Sequence, residues 1–295
     1  MNGIIVINKR KDVTSFDEVH KIRKKFNLKK VGHTGTLDPI ATGVLPIAIG
    51  KGTKIVKYLI EKDKEYIATI LFGTDTDTLD ITGKTLNTDN KKFSLNEIEK
   101  ILPKFIGSIE QIPPIYSAIK VNGKKLYEYA RNNEQIDIPS RIIQIYNIEI
   151  LEYNWPTVKI KVSCSKGTYI RALIRDIAKE LGTLAVMSDL IRTKTDKFSL
   201  ENSISIENLD SIDIHSSYFY NFEQIFENYK KLVINSKYNH LLTNGNKLDT
   251  YMFDKQVFYN NELYLIYDKS ELVAIYRFID NIFRMECMLK WINLL

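Results

Sequence analysis

The 295-residue sequence is 44% hydrophobic and 26% charged, with a formal charge of +6, a composition typical of globular proteins. A chain of this length buries about 75% of its unfolded surface, so its core needs neither a disulfide nor a metal, and two domains are favoured over one. The apolar runs are too short for a membrane span, and the run at 4–7 is too short for a signal peptide. We therefore expect a protein of the cytoplasm, with a monomer as the default.

The basic excess is confined to the first fifth of the chain. Residues 1–60 contain twelve Lys/Arg and four Asp/Glu, a formal charge of +8, and the remaining 235 residues carry −2. A localised basic region favours a polyanion such as nucleic acid as partner. A solvated, Lys-rich surface is the alternative, and charge alone does not decide between them.

The cysteines and histidines form no recognisable metal or disulfide motif. Cys164 and Cys287 lie far apart and belong to no C-x-x-C pair, which argues against a disulfide framework and a cysteine zinc site. The four histidines show no H-x-x-x-H or H-E-x-x-H spacing. We expect no structural metal.

The first third of the chain predicts short strands alternating with helices. Ser15 and Glu18 form a capping-box pattern, and the apolar residues that follow recur at helical spacing. The aromatic and β-branched run at 65–72 is typical of a strand. The predicted elements are a strand at 4–7, a helix at 16–26 with Ser15 as N-cap, a loop at 32–46, a short helix at 52–60, a strand at 65–72 and a helix capped by Ser94.

The rest of the chain predicts a strand pair, a helix and a separate β module. Val158, Ile160 and Val162 alternate with lysines, which indicates a strand with one buried face. The predicted elements are a break at 112–114, a helix at 124–131, strands at 141–153 and 158–164, a helix at 169–181, a helical connector at 201–230 and short strands at 231–295. We therefore predict two domains, 1–230 and 231–295.

Two segments resemble binding motifs only superficially. Gly43–Thr53 lacks the first glycine and the final Ser or Thr of a nucleotide-binding P-loop. Asp75, Asp77 and Asp80 resemble a calcium loop, but its required Gly and Glu are missing. This spacing favours a polar surface loop in which Asp and Thr bond to their own backbone.

The strongest local signal is the segment Gly32–Gly43. It contains three glycines, one proline and a single acid, Asp38, the only acid between Glu18 and Glu61. An isolated carboxylate among basic residues is expected to be ionised, because opposite charges favour its charged form. Such a group is a candidate nucleophile or base. The residue types alone are equally compatible with a simple turn before Pro39.

This segment also carries a family resemblance. GHTGTLDPIATGVLPIAIG at 32–50 resembles the catalytic loop of the TruB family of RNA pseudouridine synthases, most closely of its bacterial members that act at uridine 55 of tRNA. The other segments that resemble family motifs, in the same order over residues 1 to about 200, are Lys64–Tyr66, 112–131, Cys164–Arg171 and Leu190–Arg192.

The resemblance implies an α+β fold, with a mixed, largely antiparallel sheet, flanking helices and a small C-terminal β-rich domain similar to PUA domains. It implies an isomerase that detaches uracil from ribose at N1 and rejoins it through C5, with no cofactor or metal. The implied partner is tRNA, bound through its T arm and elbow, with the basic residues of 1–60 on its phosphates.

The resemblance also implies roles for individual residues. Asp38 is the nucleophile, attacking either ribose C1′ or uracil C6, and Arg171 is its ion-pair partner. Tyr66 stacks on the uracil and is a weaker candidate for the base that takes the C5 proton, since tyrosine is a poor base at its usual pKa. The substrate-binding residues are Tyr169 beside the flipped base, Leu190 as an apolar wall, His33 in displacing the extruded nucleotide, and Lys9.

The chain departs from the family pattern after its first strand. Lys9-Arg10-Lys11-Asp12 stands where the family has Lys-Pro-x-Gly, which predicts a less constrained turn. Two other functions stay open: a TruB-like synthase acting on another RNA, and a non-catalytic protein that folds tRNA with the same pocket.

Overall fold

Two large sheets, two small hairpins and seven α-helices make up residues 1–211, 216–254 and 257–290, which the computed structural model describes. The helices are α1 (Ser15–Lys25), α2 (Val56–Ile60), α3 (Leu95–Ile101), α4 (Leu126–Arg131), α5 (Ile170–Leu181), α6 (Phe222–Ile225) and α7 (His240–Thr243). The strands are β1 (Gly3–Lys9), β2 (Val31–His33), β3 (Thr42–Ile49), β4 (Lys64–Phe72), β5 (Thr74–Thr76), β6 (Thr85–Thr88), β7 (Gly107–Gln111), β8 (Lys120–Val121), β9 (Lys124–Lys125), β10 (Arg141–Asn154), β11 (Thr157–Cys164), β12 (Ala185–Thr195), β13 (Phe198–Ser199), β14 (Ile204–Ser205), β15 (Phe219–Tyr220), β16 (Lys230–Val233), β17 (Leu248–Asp249), β18 (Leu263–Asp268), β19 (Glu271–Ile279) and β20 (Ile282–Met288).

The larger sheet is mixed and mostly antiparallel, which confirms the predicted fold class. Its main order is β14-β1-β3-β12-β4-β11-β10-β7, and β2, β13 and β15 pair with strands of this path. Among the described residues of this sheet, only β1 with β14 and β3 with β12 pair in parallel. The parallel pairing places β3, which follows the Asp38 segment in the chain, beside β12.

Residues 4–7 of the N-terminal strand are buried on both faces, which explains why all four are apolar. Ile5 and Ile7 pack with Val19 and Ile22 of α1 on one face. The opposite face, including Ile4, packs against residues of β18 and β19. The second sheet therefore shares a core with the first.

The second sheet has the order β16-β18-β19-β20-β17, as the predicted C-terminal β module requires. It also has a core of its own, which includes Leu232, Tyr264, Tyr276 and Phe283. The division at residues 230 and 231 stays a prediction.

Three sequence expectations are wrong in detail. Helix α1 is capped by Thr14, whose side chain accepts from the Asp17 amide, and not by Ser15. The expected loop at 32–46 is shorter, because the segment enters β2 and β3 on either side of residues 34–41. The expected helical connector at 201–230 consists of two short strands, a 3₁₀ turn and one short helix among its described residues; residues 212–215 lie outside them.

Candidate active site

A cavity of about 630 Å³ opens where β4, β12 and the start of α5 meet residues 34–41, which we call the catalytic loop. This volume lies within the usual range of ligand pockets. Predicted site residues that line it are Asp38, Tyr66, Tyr169, Arg171 and Leu190, and cations that line it are Lys64, Arg141, Lys166 and Arg192. Neither His33 nor Lys9 lines the cavity.

Three buried side chains, Ser15, Arg192 and Lys9, hold the catalytic loop in place. The Ser15 hydroxyl accepts from the Leu37 amide at 2.9 Å and donates to the Leu37 carbonyl at 3.1 Å. The Arg192 guanidinium donates to the Gly35 carbonyl at 3.2 Å. These bonds explain why Ser15 does not cap α1: its hydroxyl faces the loop instead.

Lys9 holds the same loop from below. Its side chain is fully buried, and its Nζ donates to the carbonyls of Pro39 at 3.1 Å, Ala41 at 2.7 Å and Arg10 at 2.8 Å. Burial lowers the pKa of Lys9 to about 8, against the opposing charge of Glu18. Lys9 therefore supports the loop in this structure, and its contact with substrate stays a prediction.

Asp38 and Arg171 form a two-point ion pair at the cavity wall. Arg171 Nε lies 2.9 Å from Asp38 Oδ2, and Nη2 lies 3.1 Å from Oδ1. The Asp38 side chain is 32% exposed, whereas that of Arg171 is 6% exposed. The carboxylate thus faces the cavity while the guanidinium orients it from behind.

A second acid, Asp80, lies behind the same guanidinium. Its Oδ2 is 3.6 Å from Arg171 Nη1, and its side chain is 6% exposed. Arg171 also donates to the carbonyls of Thr78 at 2.9 Å and Tyr116 at 3.0 Å. Five contacts therefore fix the guanidinium in one position.

The expectation of a polar surface loop at residues 75–80 is wrong for Asp80, which is buried. The internal bonding was anticipated correctly: Thr78 Oγ1 donates to Asp80 Oδ1 at 2.8 Å, and the Thr82 amide donates to the same oxygen at 3.0 Å. The contact with Arg171 was missed because it joins residues far apart in the chain. Only the clustering of Asp with Thr hinted that this acid is held in place.

Two opposing effects act on the pKa of Asp38. Burial raises it, and the Arg171 charge and hydrogen bond lower it, while the charge of Asp80 raises it further; the net direction is upward. The basic neighbours in the sequence predict an ionised carboxylate, but they do not show the opposing effect of burial. The ion pair keeps the anion favourable at a site where burial disfavours it.

Tyr66, Leu190 and Tyr169 form the apolar walls of the cavity. Tyr66 on β4 is 7% exposed and Leu190 on β12 is 5% exposed. Tyr169 precedes α5, and its backbone is held by Gln111, which accepts from its amide at 2.9 Å and donates to its carbonyl at 3.2 Å. The arrangement offers flat and aliphatic surfaces beside a carboxylate, as a planar base requires.

His33 lies at the end of β2, next to the cavity rim but not in its wall. Its Nδ1 accepts from the Gly35 amide at 3.3 Å. Burial and the charge of Arg192 lower its pKa, which favours the neutral ring. Its role toward substrate stays a prediction.

The turn after β1 is held by contacts of Arg10 and Asp12, which stand where the family has Pro and Gly. Asp12 adopts a left-handed conformation, φ 61°, where the family has glycine, and its amide donates to the Pro39 carbonyl at 2.9 Å. Arg10 stands in the proline position, and its amide and guanidinium bond to the fully buried Glu18 at 3.1–3.3 Å. An ion pair therefore constrains the turn.

Eight of the twelve basic residues of 1–60 fall into two groups. Several are paired internally: Arg10 with Glu18 and Glu207, Lys11 with Asp189, Lys25 with Asp210, and Lys57 with Glu286. Four others line a recess of about 250 Å³ and have no carboxylate partner among the described residues; this lysine recess comprises Lys29, Lys30, Lys51 and Lys54. Burial and the charge of Lys54 lower the pKa of Lys51, as expected where like charges converge.

The described residues contain no group of three or more His, Cys, Asp and Glu side chains arranged to hold a metal ion. Both cysteines are buried free thiols. Across residues 1–211, 216–254 and 257–290, no helix is long and apolar enough to cross a bilayer.

Comparison with known proteins agrees with this geometry. Residues 23–170 match the model of the N-terminal domain of TruB family pseudouridylate synthases. The tRNA pseudouridine synthase B of Clostridium tetani is 44% identical over 93% of this chain and 95% of its own, and that of Lactobacillus gasseri is 39% identical over 98% of both. The chain therefore belongs to the TruB family of pseudouridylate synthases, and it is an isomerase.

Solved structures support the same assignment. A chain in a Cbf5-Nop10-Gar1 complex is 30% identical, with a TM-score of 0.72 over 94% of this chain and 78% of that one. A chain in an H/ACA RNP bound to a substrate RNA containing 2′-deoxyuridine is 26% identical, with a TM-score of 0.72 over 99% and 85%. The resemblance inferred from the motifs is confirmed.

Proposed function

We propose that the protein converts the T-loop uridine 55 of tRNA to pseudouridine, with Asp38 as the nucleophile. The observation that carries this proposal is the cavity-facing Asp38 carboxylate held at two points by Arg171. The names of the relatives in Clostridium tetani and Lactobacillus gasseri support tRNA as the substrate. A tRNA-modifying enzyme is expected to work in the cytoplasm.

The reaction is an isomerisation and needs no added atoms. The N1–C1′ bond breaks, a C5–C1′ bond forms, C5 loses a proton and N1 gains one. Asp38 attacks ribose C1′ or uracil C6, and either attack requires its oxygen within about 3–3.5 Å of the target carbon. The fixed guanidinium of Arg171 supplies that placement and keeps the carboxylate ionised.

The walls of the cavity hold the base. Tyr66 stacks on the uracil, an interaction worth about 1–3 kcal/mol, and its phenol oxygen takes the C5 proton. Leu190 closes the opposite side, Tyr169 packs beside the flipped nucleotide, and His33 at the rim replaces it in the RNA stack.

Binding must offset the few kcal/mol needed to extrude a nucleotide from a folded loop. The lysine recess provides phosphate contacts for this purpose, since its four ammonium groups have no carboxylate partner in the described part of the chain. Lys54 of the recess donates to the Met288 carbonyl of the predicted C-terminal module at 3.2 Å, so the module adjoins the recess. The module binds the tRNA elbow or acceptor stem.

The proposal is tested by incubating the protein with an unmodified T-arm transcript and mapping pseudouridine at single-nucleotide resolution. Conversion at position 55 alone supports it. Conversion at another RNA site supports a synthase of different substrate, and tight binding without conversion supports the RNA-folding function. The same mapping of cellular tRNA with and without the protein checks the assignment in the cell.

A further inference from the structure

We infer that Arg192 is a positioning residue for Tyr66: its buried guanidinium holds the phenol oxygen and stabilises the negative charge that this oxygen must carry before it takes the C5 proton. The inference rests on the proposed function, in which Tyr66 is the base. In this step the phenolate oxygen binds the C5 proton, and the electron pair of the C5–H bond restores the C5–C6 double bond of the ring. The phenol then returns its proton to water.

The sheet places the two side chains together. Arg192 on β12 is the cross-strand partner of Tyr66 on β4, and both residues are buried, at 2% and 7% exposure. On its other side Arg192 pairs with Gly43 of β3. A Cβ at Gly43 would lie 2.3 Å from the Arg192 carbonyl, and φ there is +101°, so this close approach requires glycine.

The guanidinium is a buried charge without a counter-ion. Its Nε donates to the Val44 carbonyl at 2.7 Å and its Nη2 to the Gly35 carbonyl at 3.2 Å. No carboxylate forms an ion pair with Arg192 in the part of the chain that the structure describes. Burying an unpaired charge costs free energy. A donor that only held two carbonyls in place would not need to be charged. An anion that forms in the cavity during the reaction would supply the missing partner.

Three ionisable groups act on the phenol from the elements around it. Burial raises the pKa of Tyr66, and Cys164 on β11 and Asp38 on the catalytic loop act in the same direction. The positive charge of Arg192 opposes them. Among these groups Arg192 alone favours the phenolate that proton removal from C5 requires.

The test replaces Tyr66 with trifluorotyrosine, whose phenol ionises near neutral pH in water and whose absorbance reports the ionised fraction. The titration uses the full-length free protein, without RNA. Arg192→Gln should raise the pH of half-ionisation by about 1–3 units, the usual effect of one nearby opposite charge. Arg192→Lys, which keeps a charge but not the fork of donors, should raise it less. An unchanged titration in the folded variants would overturn the inference, and Arg192→Lys decides alone if Arg192→Gln does not fold.

Kinetics with natural tyrosine at position 66 give a second readout. Arg192→Gln should lower kcat by about 10- to 100-fold, a part of the roughly 100- to 10,000-fold that a positioned base contributes, with little change in the Kd for the T-arm transcript. If Arg192 only held the catalytic loop in place, its replacement would lower kcat by displacing the loop but would not change the ionisation of the fluorinated phenol. Failure of the parent protein to convert uridine counts against the proposed function instead, because the titration does not depend on turnover.

Discussion

The two ends of β1 use lysine in opposite ways. At the carboxyl end, Lys9 is fully buried and donates to the Pro39 and Ala41 carbonyls of the catalytic loop and to the Arg10 carbonyl. At the amino end, about 20 Å away along the strand, the lysine recess is formed by four lysines without carboxylate partners among the described residues.

This difference shows what a count of charges along a sequence does not resolve. Residues 1–60 carry +8, yet part of that charge fixes the protein's own backbone, part is neutralised by acids from distant segments, and only the remainder is available to a partner. A lysine without an acid partner is free to bind phosphate, whereas a buried lysine acts on the protein. The two ends should therefore respond differently to substitution, one in turnover and the other in binding.

The largest effect is expected at the buried end. Lys9→Met removes the donor that holds the Pro39 and Ala41 carbonyls, so the adjacent Asp38 shifts. A misplacement of about 1 Å can lower turnover 100-fold, and we expect a loss of that order in kcat with nearly unchanged RNA affinity. Lys11→Met is the matched control, since Lys11 forms an exposed ion pair with Asp189. Steady-state kinetics and a binding titration check both; equal losses in the two variants would remove the distinction.

Substitutions in the lysine recess should change the affinity of the protein for RNA. Lys51→Gln with Lys54→Gln is expected to weaken T-arm binding by about tenfold near 0.1 M salt and to flatten the slope of log K against log salt by about 0.9 per lost contact. Lys92→Gln with Lys100→Gln removes the same charge from exposed positions and should leave the slope unchanged. A salt titration of both double variants decides, and an identical slope in the two would show that the recess binds no phosphate.

A smaller effect concerns pH. In the proposed mechanism the activity needs the Asp38 carboxylate, and burial raises the pKa of Asp38, so activity should fall on acidification at a higher pH than an ordinary aspartate would give. Arg171→Lys weakens the interaction that lowers this pKa, and its acid limb should move to higher pH. Asp80→Asn removes a charge that raises it, and its limb should move to lower pH. The profile of kcat/KM reports both; shifts in the same direction would contradict the assignment.

The smallest effect is expected at the turn after β1. Asp12 has φ 61°, a conformation that costs a residue with a side chain up to about 1–2 kcal/mol and glycine little. Asp12→Gly should therefore increase the free energy of unfolding by at most about 1 kcal/mol, while kcat stays the same. Urea unfolding measures this change, and a clear destabilisation would mean that the Asp12 side chain has an unrecognised partner.

Local patterns in the sequence predicted most elements of the fold. The alternation at 158–164 and the capping box at Ser94 correspond to β11 and the start of α3. The pattern at Ser15 and Glu18 failed because tertiary contacts use both side chains: Ser15 bonds to Leu37, and Glu18 pairs with Arg10. Local propensity cannot show that a distant loop competes for a capping residue.

In the candidate site, too, local motifs predicted residues, whereas contacts between distant segments were missed. Asp38, Tyr66, Tyr169, Arg171 and Leu190 lie in recognisable motifs, and the structure brings all five to one cavity. Asp80 was assigned to the surface, since its contact with Arg171 depends on how the loop at 75–80 meets α5. The proposed action of Arg192 on Tyr66 was not predicted either, because it depends on the register of β12 with β4 and β3.

The central claim is that Asp38 attacks the substrate, and it is tested most directly by Asp38→Asn on one T-arm transcript. The amide keeps the shape of the carboxylate but cannot act as the nucleophile. We expect pseudouridine formation to fall below detection while the Kd for the transcript stays within about threefold of the parent value, because phosphate contacts dominate binding. Turnover by Asp38→Asn at the parental rate would contradict the claim.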